Sequence, residues 1–205
     1  MATTTTNYGF DIPQSTDLVK DGATAIATLG QDIDTAMNTA LGTKKAGMVL
    51  LNTTSFSGVA SQSINDVFST TYDNYLVLVQ GVGSSASSDL EFRLRVGGSD
   101  ASGATDYVVP SLYNAQNSST VANAGGAAQS SGYLGFTSND RFVTTSTFFN
   151  PFLSQQTFNT FHNYGANYQL WGGTRHALTT SYTGLTLIVA AGTITGICSI
   201  YGFNK

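Results

Sequence analysis

From Val19 to Ala40, apolar or small residues recur at alternating steps of three and four: Val19, Gly22, Ile26, Leu29, Ile33, Ala36 and Ala40. That spacing predicts one amphipathic helix of about three heptads. Thr16 or Asp17 is positioned to cap its start, and Asp21 sits near the positive end of its dipole. Gly42, followed by Lys44 and Lys45, suits its end. A helix over 18–41 spans about 36 Å at the usual rise. Gly22, Gly30 and four threonines inside it lower its propensity, so it needs a partner surface. The flanks Ala23, Gly30 and Met37, and Ala25, Asp32 and Thr39, are mostly small or apolar, unlike the Glu and Lys that border a two-stranded coil. Two arrangements bury so wide a stripe: three copies around one axis, or the helix lying on its own chain.

After Gly47 the period becomes two. Strands are predicted at Met48–Leu51, Ser63–Ser69, Asn74–Gln80, Asp89–Val96, Tyr107–Val109, Tyr133–Thr137, Phe142–Phe149, Asn167–Trp171, Leu185–Ala191 and Thr193–Phe203. The run Tyr75 to Val79 is continuously apolar and reads as a central strand. Asp89–Val96 alternates, with Phe92, Leu94 and Val96 on one side and Glu91, Arg93 and Arg95 on the other. Pro110 is expected to end one strand. Turns are expected at Asn139-Asp140, Asn150-Pro151 and Gly172-Gly173. Residues 114–132, rich in Asn, Ser, Ala and Gly, read as a long loop. Such a series predicts an antiparallel, jelly-roll-like β-sandwich. The organisation expected is an arm over 1–16, a helical stem over 17–46 and a β head over 47–205.

The arm reads as irregular. Tyr8, Phe10 and Ile12 alternate along it, and Pro13 favours extended chain. Such spaced aromatics suit packing on their own protein, or docking into another.

Composition narrows the function. The chain has 205 residues and is only 10% charged, with a formal charge of −4. A polar but nearly uncharged surface fits sheet faces covered by partner subunits, or life outside a cell. The eight Lys and Arg are scattered, which disfavours nucleic acid. No apolar run is long enough for a membrane span. The N-terminal Met-Ala-Thr-Thr-Thr-Thr lacks the pattern of a secretory signal. Cys198 is the one cysteine, so no disulfide braces the chain.

Catalytic chemistry is not visible. His162 and His176 lie fourteen apart in a region of turns and bring no further metal ligands with them. Asp89 and Glu91, two apart beside Arg93, read as ion-pairing groups before they read as a glycosidase pair. The chain is therefore expected to be no enzyme and to need no cofactor or metal. Aromatics interleaved with amides between Phe158 and His176 suit sugar stacking or protein contact. Tyr164, Tyr168, Trp171, Arg175 and His176 are the candidate receptor-contact residues, with 114–130 as a second candidate surface.

Three stretches resemble tail-fibre and appendage proteins of tailed bacteriophages, above all marine and cyanobacterial ones. They are residues 3–37 (TTTTNYGFDIPQSTDLVKDGATAIATLGQDIDTAM), 68–81 (FSTTYDNYLVLVQG) and 193–205 (TITGICSIYGFNK). The first looks like an attachment and stem module. The resemblance implies a homotrimeric virion protein with a compact β head, made in the host cytoplasm and released on lysis. Carried over by residue, docking to other phage structural proteins falls on Asn7, Tyr8, Gly9, Phe10, Ile12 and Pro13. The trimer seam falls on Val19, Ile26, Leu29 and Ile33. The chain is short and has no shaft repeats, so three roles stay open. One is a short tail fibre whose head contacts a host surface, such as a glycan. Another is a capsid decoration or head-fibre protein on the coat shell. The third is a cap on the tail or neck.

Overall fold

The computed structural model describes residues 3–6, 8–12, 19–41, 47–115, 118–165 and 167–205. They fall into two compact units, Met1–Ala46 and Gly47–Lys205.

In the first unit, Thr3–Thr4 (β1) and Asp11–Ile12 (β2) pair antiparallel. The Phe10 amide donates to Thr5 Oγ1 (2.9 Å), and the Thr5 amide donates to the Phe10 carbonyl (2.8 Å). Gly9 adopts φ +68°, a conformation glycine enters without strain. The segment that reads as an irregular arm is thus a small hairpin, closed by a threonine hydroxyl and one left-handed glycine. Helix α1 covers Val19–Leu41. The expected caps at Thr16, Asp17, Gly42, Lys44 and Lys45 lie outside the described residues.

The second unit runs β3 (Met48–Val59), β4 (Ser61–Ile64), β5 (Asn74–Ser84), β6 (Asp89–Val96), β7 (Ser99–Asp100), β8 (Tyr107–Ala115), β9 (Val121–Gln129), β10 (Gly132–Phe136), β11 (Phe142–Phe149), β12 (Thr157–Gly165), β13 (Tyr168–His176), β14 (Gly184–Val189) and β15 (Ile194–Phe203). Eight strands form a large antiparallel sheet in the order β3-β15-β5-β11-β12-β13-β8-β9. Five form a small one, β10-β6-β14-β4 with β7 beside β6. The protein is mainly β: one N-terminal helix, then a two-sheet antiparallel sandwich. Within the large sheet β11, β12 and β13 are consecutive neighbours. That run is a local meander, while the rest of the chain crosses repeatedly between the two sheets.

Alternation assigns the faces. On β6, Leu90, Phe92 and Leu94 are buried, while Asp89, Glu91 and Arg93 are half-exposed. They share one core with Tyr75, Val77 and Val79 of β5 and with Phe148 of β11. Phe92 meets Phe148 edge-on at 4.8 Å and Tyr107 at 5.9 Å. Strand β5 lies between β15 and β11, which fits its continuous apolar run.

Four local expectations are overturned. Strand β8 continues through Pro110, because the proline's backbone faces β13, where its carbonyl lies beside Gly172, and the β8–β13 pairing lapses at Val109 and Pro110. Half of the expected loop 114–132 is β9, a strand at the sheet edge whose small residues pack against little. Gly172 and Gly173 are not a turn. They lie inside β13, where an added Cβ would come within 2.6 Å of the Pro110 carbonyl or 2.5 Å of the Asn159 carbonyl. Strand β12 was not expected at all, and its inverted polarity explains why.

Candidate functional site

Strand β12 turns Thr157, Asn159, Phe161 and Asn163 inward and exposes Phe158, Thr160, His162 and Tyr164. The inward polar residues have work at the edge of the other sheet. Strand β10 pairs with β6 on one side only, so its second edge carries free backbone groups. Asn163 answers them like a short strand: its Oδ1 accepts from the Phe136 amide (2.9 Å) and its Nδ2 donates to the Phe136 carbonyl (3.3 Å). Thr144 Oγ1 donates to the Leu134 carbonyl (3.1 Å), and Thr174 Oγ1 accepts from the Tyr133 amide (3.2 Å). The edge of the small sheet is thereby docked on the inner face of β11, β12 and β13.

This docking leaves a step. Strand β10 packs over β12 and β13 and reaches β8, while β9 lies further out along the large sheet. Beneath the overhang is a cleft in two lobes. One, of ≈ 230 Å³, is lined by Tyr113, Tyr133, Phe136, Tyr168, Leu170 and Asp89. The other, of ≈ 170 Å³, is lined by Asp89, Glu91, Gln129, Ser131, Tyr133 and backbone of Gly125, Gly126 and Gly132. Both lobes share Asp89 and Tyr133, whose hydroxyl donates to Asp89 Oδ1 (2.9 Å). Tyr168 stands edge-on to Tyr113 and to Phe136, each at 5.7 Å. Burial raises the Glu91 carboxyl above its usual range, with Ser131 opposing as a hydrogen-bond donor and Asp89 adding to the rise. Burial, then neighbouring Asp89, raises the Tyr133 phenol. The cleft is aromatic, acidic and free of cationic lining.

The receptor-contact candidates divide between two faces. Tyr164, Trp171 and Arg175 share the outer face of the large sheet, beside His162, which pairs with Trp171 across the strands and bonds Gln169 at 2.7 Å. Trp171, Leu112 and Pro110 edge a shallow apolar groove there of ≈ 640 Å³, floored by Gly172, Gly173, Gly125 and Gly126. Tyr168 and His176 face inward, Tyr168 to the cleft and His176 to the core. The expectation missed the cleft because its residues come from β6, β8, β10 and β13, far apart in sequence.

The outer face is nearly without charge. Across its eight strands Arg175 is the sole Asp, Glu, Lys or Arg. Met48, Leu50, Val143, Phe158 and Ile197 are exposed on it.

In the first unit, Tyr8 and Phe10 stack at 5.6 Å. With Ile33, Ala36, Met37 and Ala40 they line a depression of ≈ 330 Å³. Ile12 is exposed on β2. Asn7 and Pro13 lie outside the described residues. On α1, Ile26, Ile33 and Met37 are 66%, 40% and 55% exposed, and Leu29 is half-buried. Val19 begins the helix.

His176 is 1% exposed and lies between the rings of Tyr107 (4.5 Å) and Tyr182 (5.1 Å). Burial lowers its pKa below the ordinary 6.5, with Asp106 opposing. The unfolded chain therefore binds a proton at a pH where the folded chain does not, so stability rises with pH there. Thermal melts should be flat in this respect above pH 7 and fall as pH drops below 6.5. His176→Gln should remove that component of the slope; an unchanged slope would assign it elsewhere. Burial also pushes the Cys198 thiol up to about 12, which leaves it inert as a nucleophile. Among the described residues no group of three or more His, Cys, Asp or Glu is arranged to hold a metal, and no helix is long and apolar enough to cross a membrane.

The class defined so far is an antiparallel β-sandwich preceded by a hairpin-and-helix unit. No protein-family model matches the chain, and no curated protein matches it. Solved structures are similar at a distance. Sucrose-6-phosphate hydrolase from Lactobacillus gasseri aligns at 10% identity and TM-score 0.31, over 72% of this chain and 28% of the hydrolase. The Caenorhabditis elegans galectin LEC-6 aligns at 11% identity and TM-score 0.31, over 75% of this chain and 95% of the galectin. A protein of Bacillus endospore appendages aligns at 9% identity and TM-score 0.22, over 80% and 94%. The chain thus spans about a quarter of the hydrolase, and none of these likenesses carries function.

Proposed function

We propose that the chain is a bacteriophage virion structural protein: a short homotrimeric tail fibre whose N-terminal unit docks to the particle and whose β head contacts a host surface. The observation that carries this reading is the row Ile26, Ile33 and Met37, exposed along a helix too poor in propensity to stand alone. Three helices in a coiled coil would remove that row from water. The resemblance of residues 3–37, 68–81 and 193–205 to phage appendage proteins supplies the virion context. The head is read as a contact module. Its large outer face carries no charge on its strands but Arg175 and exposes Met48, Leu50 and Ile197 at the β3–β15–β5 side, suited to burial against sister heads. At the β13–β8–β9 side, the groove beside Trp171 and Arg175 suits a host surface molecule. Three such heads on one stem would multiply weak individual contacts.

Deleting residues 1–16 is the test of docking. The truncated protein should keep the oligomeric mass of the full chain in light scattering and should fail to join particles in a complementation assay. Incorporation of the truncated protein would refute docking through the hairpin. The second reading, a decoration protein on the capsid, shares the same stem and docking unit. Density for the protein on imaged particles, at the tail or on the shell, decides between them.

A further inference from the structure

We propose that the cleft beneath the overhang of the large sheet binds one sugar residue that is uncharged or carries an amino group. Its aromatic lobe offers Tyr113, Tyr133, Phe136 and Tyr168, all half-buried with ring surface left to a ligand. The apolar C–H face of a pyranose stacks on such rings, which keep few rotatable bonds to freeze. Asp89 supplies the polar anchor. Tyr133 occupies its Oδ1 at 2.9 Å, which fixes the carboxylate and leaves Oδ2 to accept from a hydroxyl or an ammonium. Glu91 provides a second acceptor in the adjoining lobe, where backbone of Gly125, Gly126 and Gly132 lets a ligand come close.

Charge selects the class. Neither lobe is lined by Lys, Arg or His, and both share a carboxylate. A uronic acid, a sialic acid or a phosphorylated sugar would bring a second anion beside Asp89 and Glu91, and repulsion in a half-buried site excludes it. The lobes, ≈ 230 and ≈ 170 Å³, fall below the roughly 300–1,000 Å³ of drug-sized pockets and suit single rings. Burial raises the Glu91 carboxyl against an opposing hydrogen bond from Ser131 and the charge of Arg93. The inference rests on the reading of the head as a host-contacting module only for the source of the sugar; the chemistry of the cleft stands without it.

Ligand-observed NMR on the full-length protein tests it. The probes are methyl glycosides of glucose, galactose and mannose, with glucosamine and glucuronic acid. At least one neutral or amino sugar should bind saturably, and glucuronic acid should not. Asp89→Asn and Tyr168→Ala should each weaken binding by about tenfold or more. Tyr133→Phe, which frees Oδ1 while keeping the ring, should change affinity in a folded protein even if Tyr168→Ala unfolds. Phe158→Ala, exposed on the outer face of β12, is the control and should change nothing. Absence of saturable binding by every neutral and amino sugar overturns the proposal. So does binding that Trp171→Ala abolishes and Asp89→Asn spares. A trimer that binds none of these sugars loses the cleft and keeps the appendage. A single-chain protein that binds one keeps the cleft and loses the appendage.

Discussion

Ile26→Asp combined with Ile33→Asp should convert the proposed homotrimer into single chains of 21.5 kDa. Both residues are exposed on α1, in a stripe whose other members are mostly small. Burying an isoleucine from water contributes about 1.5–3 kcal/mol, and a three-helix seam repeats each site three times. Aspartate removes that gain and crowds three carboxylates around one axis, where each is desolvated and repelled by the others. Within α1, Gly22 and Gly30 each cost about 1 kcal/mol relative to alanine, so the helix has little reserve to survive separation. Helicity should therefore fall together with mass. Far-ultraviolet circular dichroism reports the first and light scattering the second. Thr28→Asp, also exposed but about half a turn away from Ile26, is the control and should leave mass unchanged. A wild-type protein of one-chain mass would remove the basis of the appendage reading before any variant is made.

The elements that the sequence makes legible are those where burial and alternation agree. Strands β5 and β6 put apolar residues on the core side at every second position through Tyr75–Val79 and Leu90–Leu94. Strands β11 and β15 add Phe142, Phe148, Ile194 and Ile200 among smaller inward residues. Helix α1 is legible for the same reason at another period. Strand β12 is illegible because three of its inward side chains, Thr157, Asn159 and Asn163, are polar while Phe158 and Tyr164 face out. That inversion follows from a demand made elsewhere, the unpaired backbone of β10, which no local pattern records. Strand β9 is illegible because an edge strand exposed on both sides needs no large side chains. The turn expected at Gly172 and Gly173 fails for a related reason: glycine there answers close backbone approach within a sheet, not chain reversal.

The candidate site divides along the same line. Tyr164, Trp171 and Arg175 come to one face because positions two apart on a strand, and positions opposite each other across a pair, always do. Tyr168 and His176 leave that face because each is an odd number of residues from Trp171. The cleft residues Asp89, Tyr113, Tyr133 and Tyr168 are joined by sheet order, which periodicity does not reveal.

Arg95→Ala should destabilise the head more than any surface substitution. Arg95 is buried, its side chain 10% exposed, and its guanidinium joins three strands of the small sheet. One terminal nitrogen donates to Asp100 Oδ1 (2.9 Å), to Thr186 Oγ1 (2.6 Å) and to Ser63 Oγ; the other donates to the Gly98 carbonyl (2.6 Å). Thr186 Oγ1 also donates to Asp100 (2.7 Å), so the carboxylate is held from two sides. Removing the guanidinium strands Asp100, whose side chain is 26% exposed, and leaves a void under the β6–β7 turn. Breaking a buried pair from one side costs about 3–5 kcal/mol. For a domain of this size each kcal/mol lowers the midpoint by about 2–4 °C, so a fall of roughly 6–20 °C is expected in calorimetry. Arg95→Met combined with Asp100→Leu removes both charges and should recover much of that loss, because an apolar pair leaves no orphaned carboxylate. A midpoint for Arg95→Ala within a degree of wild type would mean that the network is solvated and holds little. A double variant as unstable as the single one would mean that the geometry of the turn, and not the stranded charge, is what Arg95 maintains.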